Sequence, residues 1–339
     1  MRARGPGRVN LLGEHTDYNA GLCLPFAVEA GVTVEAEPTQ SGEIEAEAPA
    51  YGEADRFDPT DPAKADGWRA FVRGTVAELR GIGVTVPGAR LRIDSDLPEG
   101  AGLSSSAALG SALCLALLAV AKTAEPDRRE LARLCSRVEN RWVGAQTGML
   151  DQMAAFFGEP GHALLLDCRD LGTEQVPLEL GGWRLCVADS GSTHAHAESG
   201  YNERRAECAE ACRELGVESL RDADQAQART LPAPLDRRVR HVLSENERVR
   251  RGVAALRGGD PPALAALLDA SHASLRDDYE VSVPEVERTV ERMKAAGAAG
   301  ARIMGGGFGG AVLALFPTQA EPPHDTLAVA PARGARLLY

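Results

Sequence analysis

Across residues 89–100 the chain reads ARLRIDSDLPEG, where Leu91 and Ile93 alternate with polar neighbours until Pro98 and Gly100 break the run. A period of two predicts a half-buried strand that ends in a turn. Residues 105–121 are rich in Ala and Leu, with three serines at the point where a helix N-cap belongs, and predict a helix. Leu131, Cys135, Val138 and Trp142, spaced four, three and four apart, predict another that Gly144 should end. HALLLDC (162–168) and WRLCVAD (183–189) read as buried strands, separated by a segment holding Gly181 and Gly182, and a helix is expected to begin near Asn202. Amphipathic helices are predicted over 239–256, 264–275 and 286–293, with LPAPL (231–235) as a loop. The run ARIMGGGFGGAVLALF (301–316) reads as two apolar strands flanking five glycines and a phenylalanine, and the acidic stretch 43–66 as an edge strand running into a solvated loop. This mixed order predicts two α+β domains, 1–170 and 171–339, with the boundary inside 158–176.

Composition narrows the class. A chain of 339 residues that is 44% hydrophobic can bury a large core and divide in two. Its longest mostly apolar segment, 107–121, stops at Lys122 and falls short of the roughly 18 residues a membrane span requires. No basic, apolar leader opens the sequence, so the expected location is the cytoplasm. The seven cysteines are odd in number and scattered, which predicts reduced thiols. Cys208 and Cys212 stand four apart on one helix face, but with no second close-spaced pair they are expected to pack in the core. A net charge of −12 argues against nucleic acid or an anionic membrane as partner. It does not exclude phosphate, because screening confines distant carboxylates to about 8 Å.

Three segments carry chemistry. PEGAGLSSSAAL (98–109) joins a strand to a helix and offers Gly100 and Gly102, free N–H groups at a helix start and the hydroxyls of Ser104, Ser105 and Ser106. Such a bend suits phosphate. It lacks the lysine of a P-loop, and a dinucleotide fingerprint fails at Ser105, where a third glycine is required. A serine-capped helix with no ligand is the plainer alternative. MGGGFGG (304–310) implies close backbone approach or unusual φ angles, although a simple glycine turn explains it as well. Asp151, between Leu150 and Gln152 in an apolar setting, is either a tuned carboxylate paired with an arginine or a helix cap. The histidines of HAH (194–196) have no third ligand nearby and read as a loop.

Taken together with GRVNLLGEHTDYNAG (7–21), these segments resemble the galactokinase family of the sugar and mevalonate (GHMP) kinase superfamily. The resemblance extends through GMLDQM, GHALLLDCRDL, GYNERRAEC, LRDDYEVS and GGGFGG in order, and GEHTDY and LRDDYEVS are its more specific parts. It implies an α+β, two-domain GHMP kinase fold: an N-terminal ribosomal-protein-S5-like domain, a C-terminal ferredoxin-like domain and an active site in the cleft between them. The implied reaction is transfer of the γ-phosphoryl of ATP to the C1 hydroxyl of α-D-galactose, the first committed step of the Leloir pathway. The resemblance makes Asp151 the acceptor of the C1 proton and Arg8 its partner, and places Glu14, His15, Asp17, Gly148 and Tyr201 with Asp151 around the sugar. It lays the triphosphate over Gly100, Ala101, Gly102, Leu103, Ser104, Ser105 and Ser106, sets Trp68 in the adenine pocket and gives Mg²⁺ to Ser106 and Glu139. Trp68 as a core anchor is the plainer alternative. The implied partners are galactose and ATP alone, with no nucleic acid or membrane, and the implied state is a monomer or weak homo-oligomer.

Departures from the family pattern are Gly5 where alanine is usual, Phe71 where tyrosine is common, and a short segment ahead of Arg8. The last is expected to mark a misassigned or truncated start, or a protein that dispenses with that segment, and to leave a strand edge incomplete. Two other functions fit the same motifs: a kinase for a related sugar such as N-acetylgalactosamine, and a galactose and ATP sensor without catalysis. Sensors of this kind lack the Ser-Ala pair of the phosphate loop, whereas Ser106-Ala107 is intact.

Overall fold

The computed structural model describes residues 1–98, 100–192 and 197–338. In chain order the elements are β1 (Arg2–Asn10), β2 (Leu22–Cys23), β3 (Pro25–Pro38), β4 (Ile44–Ala48), β5 (Glu53–Phe57), α1 (Trp68–Gly81), β6 (Ala89–Ser95), α2 (Ser105–Val120), α3 (Arg128–Val138), α4 (Leu150–Phe157), β7 (His162–Asp167), β8 (Gly172–Pro177) and β9 (Arg184–Asp189). The second half adds α5 (Ala197–Leu215), α6 (Gln225–Ala228), α7 (Leu235–Arg257), α8 (Pro261–Asp277), α9 (Pro284–Ala295), β10 (Gly300–Met304), β11 (Ala311–Phe316), β12 (Leu327–Val329) and β13 (Arg336–Leu338).

Six strands form one sheet in the order β13-β1-β3-β6-β4-β5, four form an antiparallel sheet β10-β11-β9-β12, and β2-β7-β8 make a small third. Helices α1 to α4 bury one core against the six-stranded sheet. Helix α2 is buried nearly all round, which explains why its sequence shows no polar face. A second core joins Val9, Leu11, Leu12 and Phe26 to Leu185, Val249, Leu268 and Leu313, so apolar side chains from both ends of the chain meet at the centre. The third lies between the four-stranded sheet and α5, α7 and α9. Every cysteine is a free thiol, and Cys208 is buried in that third core. No helix among the described residues is long and apolar enough to cross a membrane.

Several elements differ from the sequence reading. The fourteen residues of β3 and the hairpin strand β8 went unpredicted: Gly31 interrupts the first, and only Val176 of the second is buried. Helix α5 starts at Ala197 rather than near Asn202. Gly200 lies within it, where a Cβ would stand 2.5 Å from the Phe308 ring, so the glycine is a packing requirement. The stretch 43–66 supplies two strands, β4 and β5, not one. The outer edge of β1 is covered by β13 over Arg2 to Arg4. The division at 170/171 falls in the turn between β7 and β8, and β13 returns to the first sheet from the chain's far end. The histidines at 194–196 lie outside the described residues.

Candidate active site

The pairing of β1 with β3 shifts register between Pro6 and Arg8. Such a bulge re-aims the side chain beside it. Arg8, still paired with Ala27 of β3, is thereby turned toward the strand-to-helix bend: its backbone N–H donates to Leu103 O at 2.9 Å and its Nη1 to Gly102 O at 2.6 Å. The rest of the guanidinium forks onto Asp151, with Nε to Oδ1 at 2.6 Å and Nη2 to Oδ2 at 3.0 Å. Asp151 stands in the first turn of α4, where the helix dipole favours a negative charge. Ser104 Oγ donates to the same Oδ2 at 2.6 Å. Burial works to lower the Arg8 pKa, but the charges of Asp151, Glu14 and Asp17 outweigh it and hold the group above its ordinary value.

Ser104 occupies the N-cap of α2 with φ 58°, and its hydroxyl caps nothing. The expected serine is at the expected place, with its hydroxyl on Asp151 instead. The first N–H groups of α2 therefore lack a side-chain cap and remain donors for an anion. Gly100 and Gly102 both have positive φ, which lets the backbone curl around that helix start.

Beside this pair lies a cavity of about 280 Å³ whose lining includes Arg8, Glu14, His15, Asp17, Gly148, Asp151 and Tyr201. The crowding of polar groups in GEHTDYN resolves into two jobs. Thr16 and Asn19 hold the loop together, Thr16 Oγ1 donating to Gly13 O and Asn19 Nδ2 to His15 O, both at 2.8 Å. Glu14, His15 and Asp17 line the cavity. Burial and the charges of His241 and Arg204 push the His15 pKa down to about 3, so its imidazole is neutral. Its Nδ1 meets Tyr18 Oη at 2.8 Å, and Nε2 has no partner among the described residues. Burial, then the neighbouring Asp151, lifts Asp17 to about 7. Gly148 packs so closely that a Cβ there would lie 1.9 Å from Asp17 Oδ2.

Glu139 lies in a π-helical turn that extends α3 and ends at Gly144, as the glycine predicted. Its Oε2 accepts from Thr147 Oγ1 at 2.7 Å and Gln152 Nε2 at 2.9 Å, while its buried Oε1 makes no hydrogen bond within the described residues. Burial raises its pKa to about 7 against the opposing influence of neighbouring donors that include Ser106. An orphaned carboxylate oxygen beside a hydroxyl fits a hard cation completed by substrate phosphates; no group of three or more metal-ligating side chains exists among the described residues. Trp68 is not part of the cavity lining: it packs on the first core and donates Nε1 to Glu53 Oε2 at 3.2 Å.

Sequence reasoning missed Arg302 and Glu245, and had Gly305 only as one member of the glycine run. Arg302 Nη2 donates to Glu14 Oε1, Gly305 N donates to the same atom at 2.9 Å, and Glu245 Oε1 accepts from Gly13 N at 2.8 Å. The signal for Arg302 was a single charge inside an apolar strand, ARIM, which must find a counter-charge if the strand is buried. The glycine run after it is not a simple turn. Gly305, Gly307, Gly309 and Gly310 all have positive φ, and Gly306 lies against the Tyr201 ring.

Comparison with known proteins adds three family matches along the chain: a galactokinase galactose-binding signature over residues 1–38, a GHMP kinase N-terminal domain over 70–159 and a GHMP kinase C-terminal region over 253–333. Galactokinase of Mycobacterium tuberculosis H37Rv is 45% identical, over 95% of this chain and 91% of that protein. Galactokinase of Roseiflexus sp. RS-1 is 43% identical over 92% and 82%. The crystal structure of Lactococcus lactis galactokinase complexed with galactose superposes with a TM-score of 0.92 at 33% identity, covering 99% of this chain and 95% of that one. Methanococcus jannaschii mevalonate kinase, at 17% identity and a TM-score of 0.68, shares the fold.

Proposed function

The chain belongs to the galactokinase family of GHMP kinases, and we propose that it transfers the γ-phosphoryl group of ATP to the C1 hydroxyl of α-D-galactose. The observation that carries this reading is the fork from Arg8 to Asp151, tied through Gly102 and Ser104 to an uncapped helix start. It ties the Asp151 carboxylate, which lines the cavity, to the helix start that this reading gives to phosphate.

Phosphoryl transfer is largely a matter of positioning and charge stabilisation. In this reading Glu14, His15 and Asp17 read the orientation of sugar hydroxyls, since a carboxylate or neutral imidazole bonds only a hydroxyl that reaches it. Gly148 and Tyr201 shape the same wall. Asp151 accepts the C1 proton, and Arg8 holds its carboxylate in place while offsetting charge on the group in transfer. The triphosphate rests on residues 100–106, with adenine toward Trp68. Ser106 and Glu139 would hold Mg²⁺, which neutralises phosphate charge when bound. The first domain comprises residues 1–170 and the second 171–339, with β13 lent back to the first sheet.

The test is incubation of purified protein with MgATP and a panel of aldohexoses and N-acetylhexosamines, with products identified by mass. Galactose 1-phosphate as the main product is expected. Preference for N-acetylgalactosamine would move the substrate assignment, and no ADP release with any sugar from folded protein would overturn the kinase reading.

A further inference from the structure

We propose that Arg302 is a positioning residue for sugar recognition: reaching from the far half of the chain, it anchors one oxygen of the Glu14 carboxylate so that the other meets a substrate hydroxyl. The inference rests on the sugar-kinase reading above and deepens it.

Arg302 lies in β10 with its side chain 0% exposed. Its Nη2 donates to Glu14 Oε1 and, at 3.0 Å, to Asn10 O; its Nη1 donates to Ser271 Oγ at 3.3 Å and stands 4.0 Å from Glu245 Oε1. Gly305 N adds a second donor to Glu14 Oε1 at 2.9 Å. Two donors on one oxygen fix the rotation of the carboxylate about its last bond, and Oε2 is left for an incoming hydroxyl. Because the same guanidinium nitrogen also holds Asn10 O, Glu14 and the strand end that carries it move as one.

Stability alone does not explain this arginine. Its neighbours Ala301, Ile303 and Met304 are all buried and apolar, and an apolar pair at 302 and 14 would fill the site without removing two charges from water, although losing Arg302 alone would strand the Glu14 carboxylate. Glu245, which shares Ser271 Oγ with Arg302, also clamps Gly13 N, so the residues on both sides of the Gly13–Glu14 peptide are gripped from the second half of the chain. A fixed carboxylate discriminates between hydroxyl orientations; a freely rotating one accepts either.

Arg302→Lys keeps the charge but loses the fork that spans Glu14, Asn10 and Ser271. With the fold checked by circular dichroism, its KM for galactose should rise about ten- to a hundredfold, the ratio for one lost hydrogen bond to a charged group, while KM for ATP holds. Across mono-deoxygalactoses, the penalty for removing the hydroxyl that Glu14 reads should shrink in the variant, an effect that simple loss of stability does not produce. Ser271→Ala, a milder change that loosens the same guanidinium, should raise KM for galactose in the same direction by a smaller factor. Parental KM for galactose in folded Arg302→Lys overturns the proposal, as does an equal rise for both substrates. Should Arg302→Lys fail to fold, parental KM for galactose in Ser271→Ala overturns it. A parent protein unable to phosphorylate galactose overturns the functional reading and this one together, whereas an active parent with unchanged variants overturns this one alone.

Discussion

Replacing Asp17 with asparagine should stabilise the sugar-free protein above neutral pH while weakening its hold on galactose. Burial and the nearby Asp151 charge raise the Asp17 pKa from 3.8 to about 7. The folded protein therefore binds more protons than the unfolded chain between those two values, so the contribution of Asp17 to stability falls as pH rises through 3.8 and is at its most unfavourable above about 7. A difference of roughly 3 units, at about 1.4 kcal/mol each, amounts to about 4 kcal/mol. Asparagine carries no charge and escapes this cost, less what it loses by accepting a weaker hydrogen bond from the Tyr18 backbone. Even half the gain raises the unfolding midpoint by roughly 3 °C, at about 1.4 °C per kcal/mol for a chain of this length. Thermal unfolding of parent and Asp17→Asn at pH 8, 6 and 4 should show a difference that is full at pH 8 and nearly gone at pH 4. In parallel, KM for galactose should rise about tenfold or more. A variant no more stable than the parent at pH 8, or an advantage that grows as pH falls, would refute the reasoning, because Asp17 would then be ionised in the folded protein without cost.

Three further outcomes follow from the same geometry. Asp151→Asn should retain galactose binding by calorimetry but lose about 10² to 10⁴ in turnover, and near-parental turnover would remove it from the chemistry. Gly148→Ala would place a methyl 1.9 Å from Asp17 Oδ2, so KM for galactose should rise about ten- to a hundredfold with KM for ATP unmoved; a rise confined to ATP would contradict the placement. Gly5→Ala, which introduces the residue usual in the family, would set its Cβ 2.0 Å from Ala108 O in α2 and should cost about 1–3 kcal/mol in denaturant unfolding. An unchanged midpoint there would show that α2 can yield.

The sequence by itself determined the local devices. The alternation of Leu91 and Ile93, the serines after Gly102, the apolar length of α2, the stop at Gly144 and the glycine run at 305–310 each act within a few residues, where steric limits and hydrogen-bonding groups leave few conformations. Family resemblance pointed to a set of side chains scattered along the chain, of which Arg8, Glu14, His15, Asp17, Gly148, Asp151 and Tyr201 line one cavity together. Only the tertiary structure decided how they are held. Arg8 reaches Asp151 across 143 positions because a register shift in β1 just before it re-aims its side chain, and Arg302 reaches Glu14 across 288 because both ends of the chain share a core. The neutral state of His15 and the raised pKa of Asp17 likewise come from burial. Periodicity is a property of neighbours along the chain, whereas desolvation and charge pairing are set by whichever distant segments close over a group, and no local pattern encodes them.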